Sequence, residues 1–165
     1  MAMPHIEFFR SLDYENGFEV MEKIFRRFPM QYGVTLGLDG KPQIRPLEFK
    51  FAEKGRFYFD TVETYTSYKE MQKTPYIQIC IGDQESMSYL RLSGKVNFTR
   101  DKDIVDKCFA NSRVLTEQFS RHREQVIAYY LTEMKAEFAT FLPGLTIKLA
   151  IFPRLCHFLQ ILVFK

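Results

Sequence analysis

Residues 31–73 constrain the fold more than any other stretch, because they read as three successive β-strands followed by a short helix. Asp39-Gly40 separates two apolar runs, and an Asp-Gly pair readily supplies the positive φ angles that a tight hairpin needs. The second strand covers residues 44–51, and the third follows a Lys-Gly turn. We therefore predict a β-meander at this point of the chain.

The first of these strands has two unlike faces. One face is apolar and carries Val34, Leu36 and Leu38. The other face is nearly bare of side chains and carries Gly33, Thr35 and Gly37. Glycines that share a face let a flat molecule or another backbone approach closely. The bare face is therefore a candidate ligand surface.

The junction between the third strand and the helix is rich in hydroxyl groups. Residues 61–67 include several Thr and Ser, and residues 68–73 have a helix-forming composition that ends before Pro75. The first backbone N–H groups of a helix lack internal partners and lie at the positive end of its dipole. Together with Lys69, one turn into the helix, they predict a cradle for an anion such as phosphate.

Length and composition predict one domain, residues 1–165. Of the 165 residues 46% are apolar and 17 are Phe, which is enough for a substantial core. The net charge is only +3 and basic residues are mixed with acidic ones, so we expect no nucleic-acid surface.

The cysteines and the first residues bear on location. Cys80, Cys108 and Cys156 lack CxxC spacing and cannot all pair with one another. The first residues carry charges in place of an uninterrupted apolar segment, so no secretory signal is visible. We expect a cytoplasmic protein with no membrane partner.

The rest of the chain supplies further strands and helices. Amphipathic periodicity predicts a helix over residues 18–28 that caps one end of the core. A nearly continuous apolar run at 76–81 predicts a strand covered on both faces. Residues 88–99 predict a longer strand, bent at Ser93-Gly94 because a glycine within a strand indicates a bulge. The remaining elements are a helix from Asp101, a polar stretch at 111–125 that is irregular or partly helical, and strands at 126–131 and 136–141. Closure of six or seven strands into a small barrel would leave no free edges.

Residues 142–165 form an atypical apolar tail. Its segment IFPRLCHFLQILVFK is shorter than the roughly 20 residues of a membrane-spanning helix. The tail is an extra strand or helix buried at a dimer interface, or the product of a shifted reading frame. The sequence leaves these alternatives open.

Four motifs in register resemble one known family. The chain contains, in order, DGKPQIRPLEFKF, GRFYFDT, YKEMQKTPYIQICI and YLRLSGKVNF. At these spacings they resemble the FMN-binding split-barrel family of pyridoxamine 5'-phosphate oxidase-like proteins, and within it the nitroimidazole-reductase (Nim) type. The resemblance covers residues 18–99 and continues more weakly to residue 141. It implies a mainly β, Greek-key split barrel with largely antiparallel strands and flanking helices, and a homodimer with flavin at the subunit interface.

Arg45 is the leading FMN contact that this resemblance implies. Its planar guanidinium suits a phosphate, whereas the alternative interpretation is a solvated strand arginine. Lys50 lies five residues later, which in an unbroken strand places it on the opposite face. Lys50 would therefore contribute only if Pro46 marks a bulge.

The other implied cofactor contacts follow along the chain. Pro46 and Leu47 would line the isoalloxazine ring, and Asp60, Thr61 and Val62 would contact the flavin and its ribityl chain. From the helix start, Thr64, Ser67 and Lys69 would hold the phosphate; ordinary helix capping is the alternative for the hydroxyls. Tyr89 and Arg91 on the long strand match flavin-side contacts.

No acid–base pair, activated nucleophile or metal-ligand spacing emerges, so we predict neither a catalytic side chain nor a metal site. This suits a flavoprotein, because the cofactor carries the chemistry. The resemblance implies an FMN-dependent oxidoreductase that transfers hydride or electrons to or from a small molecule through flavin N5. It further implies NAD(P)H as the expected donor and nitroaromatic reduction as a candidate reaction. The C-terminal Arg/His motif that holds pyridoxamine phosphate in the oxidases is not found, which counts against that substrate.

Two other classes of protein compete with this interpretation. One is a flavin or haem carrier or redox sensor without turnover on the same barrel. The other is a small nucleic-acid-binding barrel that stacks bases on Tyr and Phe, which the modest charge disfavours.

Overall fold

The computed structural model describes residues 4–142, 145–153 and 159–163. Within them the chain forms nine strands in one sheet, five α-helices and a 3₁₀ turn at Arg123–Gln125. The helices are α1 (His5–Arg10), α2 (Gly17–Arg27), α3 (Thr66–Lys73), α4 (Lys102–Ala110) and α5 (Arg113–Phe119). The strands are β1 (Gln31–Leu36), β2 (Pro42–Leu47), β3 (Phe51–Glu53), β4 (Arg56–Val62), β5 (Tyr76–Asp83), β6 (Ser88–Thr99), β7 (Val126–Leu142), β8 (Leu145–Pro153) and β9 (Leu159–Val163). None of the helices in these ranges has the length and apolar character needed to span a membrane.

The hairpin predicted at Asp39-Gly40 is confirmed. β1 and β2 pair antiparallel, with Val34 opposite Ile44. Gly40 takes a φ of +80° in the loop, a conformation that favours glycine. The meander therefore begins where the turn chemistry indicates.

The predicted second strand is two strands, β2 and β3. Between them the Phe49 N–H donates to Gln31 Oε1 over 2.7 Å, so a side chain replaces a ladder partner. The chain changes direction here, and Arg45 and Lys50 line one cavity. The break that brings them together falls after β2 and not at Pro46.

The sheet closes on itself. Its order is β2-β1-β5-β6-β7-β4-β3, and every pairing is antiparallel. β2 and β3 lie at opposite ends of this order, yet only residues 48–50 separate them in the chain. The two ends must therefore lie side by side, which makes the sheet a split β-barrel. The fold class predicted from the sequence is confirmed.

The two strands predicted at 126–131 and 136–141 are one long strand, β7. Glu133 takes a φ of 50°, and the pairing with β6 shifts register opposite it, between Ser93 and Lys95. Pairing continues on both sides of the shift, so β7 bends without ending. The bend predicted at Ser93-Gly94 is this bulge.

The apolar tail contributes β8 and β9. β8 pairs antiparallel with the second half of β7, and β9 pairs with β8. The tail was expected to be an extra strand or an extra helix, and its described part is strand. Its place at a dimer interface stays a prediction, and Cys156 lies outside the described residues.

Two apolar clusters hold the barrel. The larger fills the interior and is capped by α2, whose core face carries Val20, Met21, Ile24 and Phe25, so the helix predicted at 18–28 is confirmed. The smaller cluster lies beneath α4 and α5 and includes Cys108, Phe109 and Leu115. Asp101 caps α4 by accepting hydrogen bonds from the Asp103 and Ile104 N–H groups. The helices thus cover two separate parts of the sheet.

One face of β1 and β2 remains exposed. Gly33 and Thr35 point inward, whereas the outer apolar face carries Tyr32, Leu36, Leu38 and Ile44, which are 46%, 42%, 47% and 68% exposed. β5 alternates in the same way, with Gln78 and Cys80 exposed. The prediction that β5 is covered on both faces is therefore wrong for the single chain.

Candidate functional site

A cavity of about 330 Å³ lies between the β1–β2 hairpin, the end of β4, α3 and α5. This volume falls at the lower end of the range for small-ligand pockets, about 300–1,000 Å³. Most of the predicted cofactor contacts line it, namely Arg45, Pro46, Leu47, Asp60, Thr61, Val62 and Ser67. Three separate segments of the sequence therefore converge on one space.

Arg45 and Thr35 line the cavity, and together with Glu70, which lies outside the lining, they form the Arg45 cluster. Arg45 Nη2 lies 2.8 Å from Glu70 Oε2, and Arg45 Nη1 donates to Thr35 Oγ1 over 2.5 Å. The Thr35 hydroxyl in turn donates to Glu70 Oε2 over 2.6 Å. The Glu70 side chain is only 2% exposed, so Arg45 is held by a buried carboxylate and is not a solvated strand arginine.

The Lys50 cluster (Lys50, Glu48 and Asp60) forms the other charged part. The Lys50 ammonium contacts the Glu48 carboxylate and lies 2.9 Å from Asp60 Oδ1. Burial raises the pKa of Asp60, although the nearby Lys50 charge opposes the shift. Asp60 therefore keeps its proton to a higher pH than a solvated aspartate.

The hydroxyl-rich junction lies between these clusters. Thr61 Oγ1 and Ser67 Oγ are 3.2 Å apart and share a hydrogen bond. The N-cap of α3 is Tyr65, and its side chain makes no capping hydrogen bond, so the hydroxyls do not serve as the N-cap. Thr64 and Lys69 are exposed on the same segment, outside the cavity lining.

Gly33 forms part of the wall of the cavity. A Cβ at this position would lie 3.2 Å from Ile77 Cδ1 and 3.4 Å from Leu47 Cδ2. A larger residue would press on both side chains and narrow the space. The bare face of β1 thus faces the cavity, as a ligand surface requires.

An apolar roof, formed by Val114, Leu115 and Phe119 of α5, closes one side. Ser112 caps α5 by accepting from the Leu115 N–H, and its hydroxyl donates to Glu48 Oε2 over 2.8 Å. The roof is therefore tied to the Lys50 cluster. The sequence interpretation left this segment undecided, although the apolar spacing after a capping serine was the available signal.

Glu70 was also missed. It follows Ser67 by one helical turn, and Glu70 and Met71 are the buried residues of α3. This spacing places them on one helix face and was the only local sign that Glu70 points inward. Tyr129, at the bottom of the cavity, is 1% exposed, and burial raises its pKa.

Tyr89 and Arg91, the remaining predicted contacts, lie away from this cavity. Both side chains bond to Glu137 across the β6–β7 pair, with Tyr89 Oη 2.6 Å from Glu137 Oε1. Arg91 lines a second cavity of about 290 Å³ on the outer face, together with Cys80 and Lys135. A single chain does not bring these two residues to the first cavity.

Three solved structures with a similar fold bear on the function of this site. A NimC/NimA family protein from Clostridium acetobutylicum is 20% identical over 78% of this chain and 91% of its own, with a TM-score of 0.68. A pyridoxamine 5'-phosphate oxidase-related, FMN-binding protein from Nostoc punctiforme is 12% identical over 94% and 98%, with a TM-score of 0.68. A heme binding protein from Mycobacterium smegmatis is 10% identical over 81% and 57%, with a TM-score of 0.62. At these identities the likeness is one of fold.

Sequence comparison gives the family directly. Comparison with curated proteins found no match. The family model described as pyridoxamine 5'-phosphate oxidase, however, matches residues 19–137, well over half of the chain. The match runs from α2 into β7 and includes every predicted cofactor contact. The chain therefore belongs to the pyridoxamine 5'-phosphate oxidase-like family of split-barrel proteins.

Proposed function

We propose that this protein is an FMN-dependent oxidoreductase of a small molecule, with NAD(P)H as electron donor and nitroaromatic reduction as a candidate reaction. One observation carries the proposal: a cavity of about 330 Å³ in which two cations, the hydroxyls of Thr35, Thr61 and Ser67, and a glycine wall meet, in a chain of this family. Neighbours of the same fold include a protein described as FMN-binding.

The residues of the cavity suit a flavin in shape and in donor groups. Gly33 keeps one wall free of side chains, and Leu47 and Phe119 offer apolar surface for a flat ring. Arg45 and the Thr61–Ser67 hydroxyl pair can serve the polar chain. Bound FMN would supply hydride or electron transfer at N5.

The protein's own residues would bind and orient the flavin and exclude water from it. The Arg45 guanidinium has five N–H donors, and Thr35 and Glu70 use only part of them, so others can reach a ligand oxygen. The apolar roof would shield the ring from solvent.

A carrier or sensor without turnover is the second candidate. It is favoured by the fold shared with the heme binding protein from Mycobacterium smegmatis. Among the described residues that line the cavity none is His or Cys, so only Tyr65, Tyr129 and Met71 are of the types that ligate haem iron. This chemistry favours flavin over haem.

Flavin titration tests the proposal. Purified protein should quench the fluorescence of added FMN in a saturable way. Val114→Trp, which fills the cavity from an exposed helix position, should weaken FMN binding by at least about tenfold. Gln118→Trp, exposed on the same helix, is the matched control. Arg45→Ala should also retain FMN less well. Wild-type protein that fails to take up FMN would remove the proposal.

Turnover separates the enzyme from the sensor. An oxidoreductase should consume NAD(P)H continuously when nitroaromatic acceptors are supplied with FMN. A sensor should bind FMN and show no sustained oxidation. The test needs the same protein sample as the titration.

We further propose that the chain forms a homodimer through its outer apolar face. Tyr32, Leu36 and Ile44 are large side chains exposed on neighbouring strands, and Leu38 is exposed in the loop that joins them. Contiguous apolar surface of this kind marks interaction sites. Tyr89 and Arg91 lie on the same side of the sheet and would reach a flavin only from a partner subunit.

A further inference from the structure

Each cation of the cavity already has a carboxylate partner in the chain. Arg45 pairs with Glu70, and Lys50 pairs with Glu48 and Asp60. The Glu70 side chain is 2% exposed, so water does little to screen its charge. An incoming anion would therefore meet cations that are neutralised from within.

We propose that Glu70 sets the flavin specificity of this site, so that the cavity accepts a flavin with or without a phosphate. The inference rests on the proposed function and deepens it. Glu70 shares the Arg45 guanidinium with any ligand that approaches from the cavity. A phosphate dianion would be attracted by Arg45 and repelled by Glu70 across a short distance.

The neutral donors of the site do not restore a phosphate preference. Thr61 and Ser67 share a hydrogen bond and serve a sugar hydroxyl as well as a phosphate oxygen. Lys69, the predicted phosphate lysine, is exposed and outside the cavity lining. The energy of binding should therefore come from the ring, which FMN and riboflavin have in common.

Fluorescence titration with FMN and with riboflavin tests this inference without any turnover. Wild-type dissociation constants for the two flavins should agree within about fivefold. Glu70→Gln keeps an oxygen that Arg45 and Thr35 can bond and removes the charge. It should tighten FMN binding by about tenfold and leave riboflavin binding within about twofold.

Two further variants separate charge from geometry. Glu63→Gln changes an exposed carboxylate, which pairs with Arg100 at 3.2 Å, and should change neither affinity. Thr35→Val removes the bridging hydroxyl but keeps the Glu70 charge, so it should not raise the preference for FMN. If Glu70→Gln and Thr35→Val both weaken FMN binding, Glu70 positions Arg45 and the inference is overturned.

The failure of this inference is distinct from the failure of the proposed function. A wild-type preference for FMN above about a hundredfold overturns the inference alone, even if no variant folds. Wild-type protein that binds neither flavin overturns the proposed function and the inference with it. The inference is supported if wild-type protein binds FMN and riboflavin with similar affinity and Glu70→Gln binds FMN more tightly.

Discussion

Lys50 is 2% exposed at its side chain, and its ammonium contacts the carboxylates of Glu48 and Asp60. Removing one member of such a buried group leaves an uncompensated charge. Burial raises the pKa of Asp60, so at a pH between the unfolded pKa and the raised folded pKa the folded chain binds a proton that the unfolded chain has released. The contribution of Asp60 to stability is therefore greatest at low pH and falls as the pH rises through the raised pKa.

Lys50→Met should destabilise the fold by about 3–5 kcal/mol at neutral pH, because it leaves the Asp60 carboxylate without its partner. The loss should be smaller at about pH 5, since without Lys50 the Asp60 pKa rises further and the neutral acid needs no cation. Urea unfolding at both pH values measures this, with the exposed Lys41→Met as control. An equal loss at both pH values would contradict the role assigned to Asp60.

The two described cysteines should differ in reactivity. Burial raises the pKa of the Cys108 thiol to about 12, and the neighbouring Asp60 charge adds to the shift, whereas Cys80 is exposed. In the folded Ile44→Lys variant, whose outer apolar face we expect to be uncovered, iodoacetamide should therefore label Cys80, and Cys108 only after denaturation, because the thiolate is the reactive form. Peptide mapping by mass spectrometry distinguishes the sites. Early labelling of Cys108 would show that the smaller cluster opens readily.

Single residues were predictable where a local motif carried them. Arg45 and Asp60 lie in stretches that resemble the family, and both line the cavity. Glu70 lies on a short polar helix, where a glutamate is expected to be solvated, and its burial depends on Thr35 and Arg45 from other strands. Nothing local encodes that contact, so the sequence alone did not reveal it.

The β6–β7 bulge decides the shape of the barrel at the scale of elements. A Cβ on Gly94 would lie 3.1 Å from both Leu131 Cβ and the Thr132 carbonyl oxygen. Glu133, on the same stretch of β7, takes the positive φ that turns the strand. The bend is therefore packed closely against β7 and leaves no room for a side chain on Gly94.

Gly94→Ala should cost about 1–3 kcal/mol of unfolding free energy, because the added methyl group presses on β7. Gly82→Ala on the neighbouring strand is the matched control, since nothing lies within 4 Å of its Cβ, and it should change stability by less than about 0.5 kcal/mol. Thermal or urea unfolding of both variants gives the comparison. Equal stability of the two alanine variants would show that the bulge can relax.

Elements were predictable when a turn or a period marked them. The Asp39-Gly40 pair was sufficient to predict the β1–β2 hairpin, and the apolar periodicity was sufficient to predict α2. β7 was divided in two because Glu133-Met134-Lys135 resembles a polar turn, while continuous pairing with β6 decides otherwise. α5 was undecided although its cap is local, since Ser112 accepts from the Leu115 N–H; the bond that ties Ser112 to Glu48 is the part that is distant in sequence.

At the scale of the whole molecule, the single chain leaves the outer apolar face uncovered. Ile44 is 68% exposed and lies opposite Val34 in the β1–β2 pair. Cys80 and Gln78 continue the same face on β5. A second copy of the chain would cover the face that the sequence pattern of β5 indicated as buried.

Wild-type protein should therefore sediment as a dimer, and Ile44→Lys should sediment as a monomer, because a charge at the centre of an apolar interface is costly to bury. Met87→Lys, at a residue that is 65% exposed on the β5–β6 turn, is the matched control and should remain dimeric. Analytical ultracentrifugation measures both. A monomeric wild-type protein would rule out this interface.

β8 runs beside the second half of β7, and the two strands pair from Ala136 with Ile151 to Leu142 with Leu145. A shortened protein that stopped after Leu142 would leave those β7 backbone groups to water or to a strand from another molecule. Such a truncation would create a template for precipitation. The described part of the tail therefore supplies the partner strand that these backbone groups need.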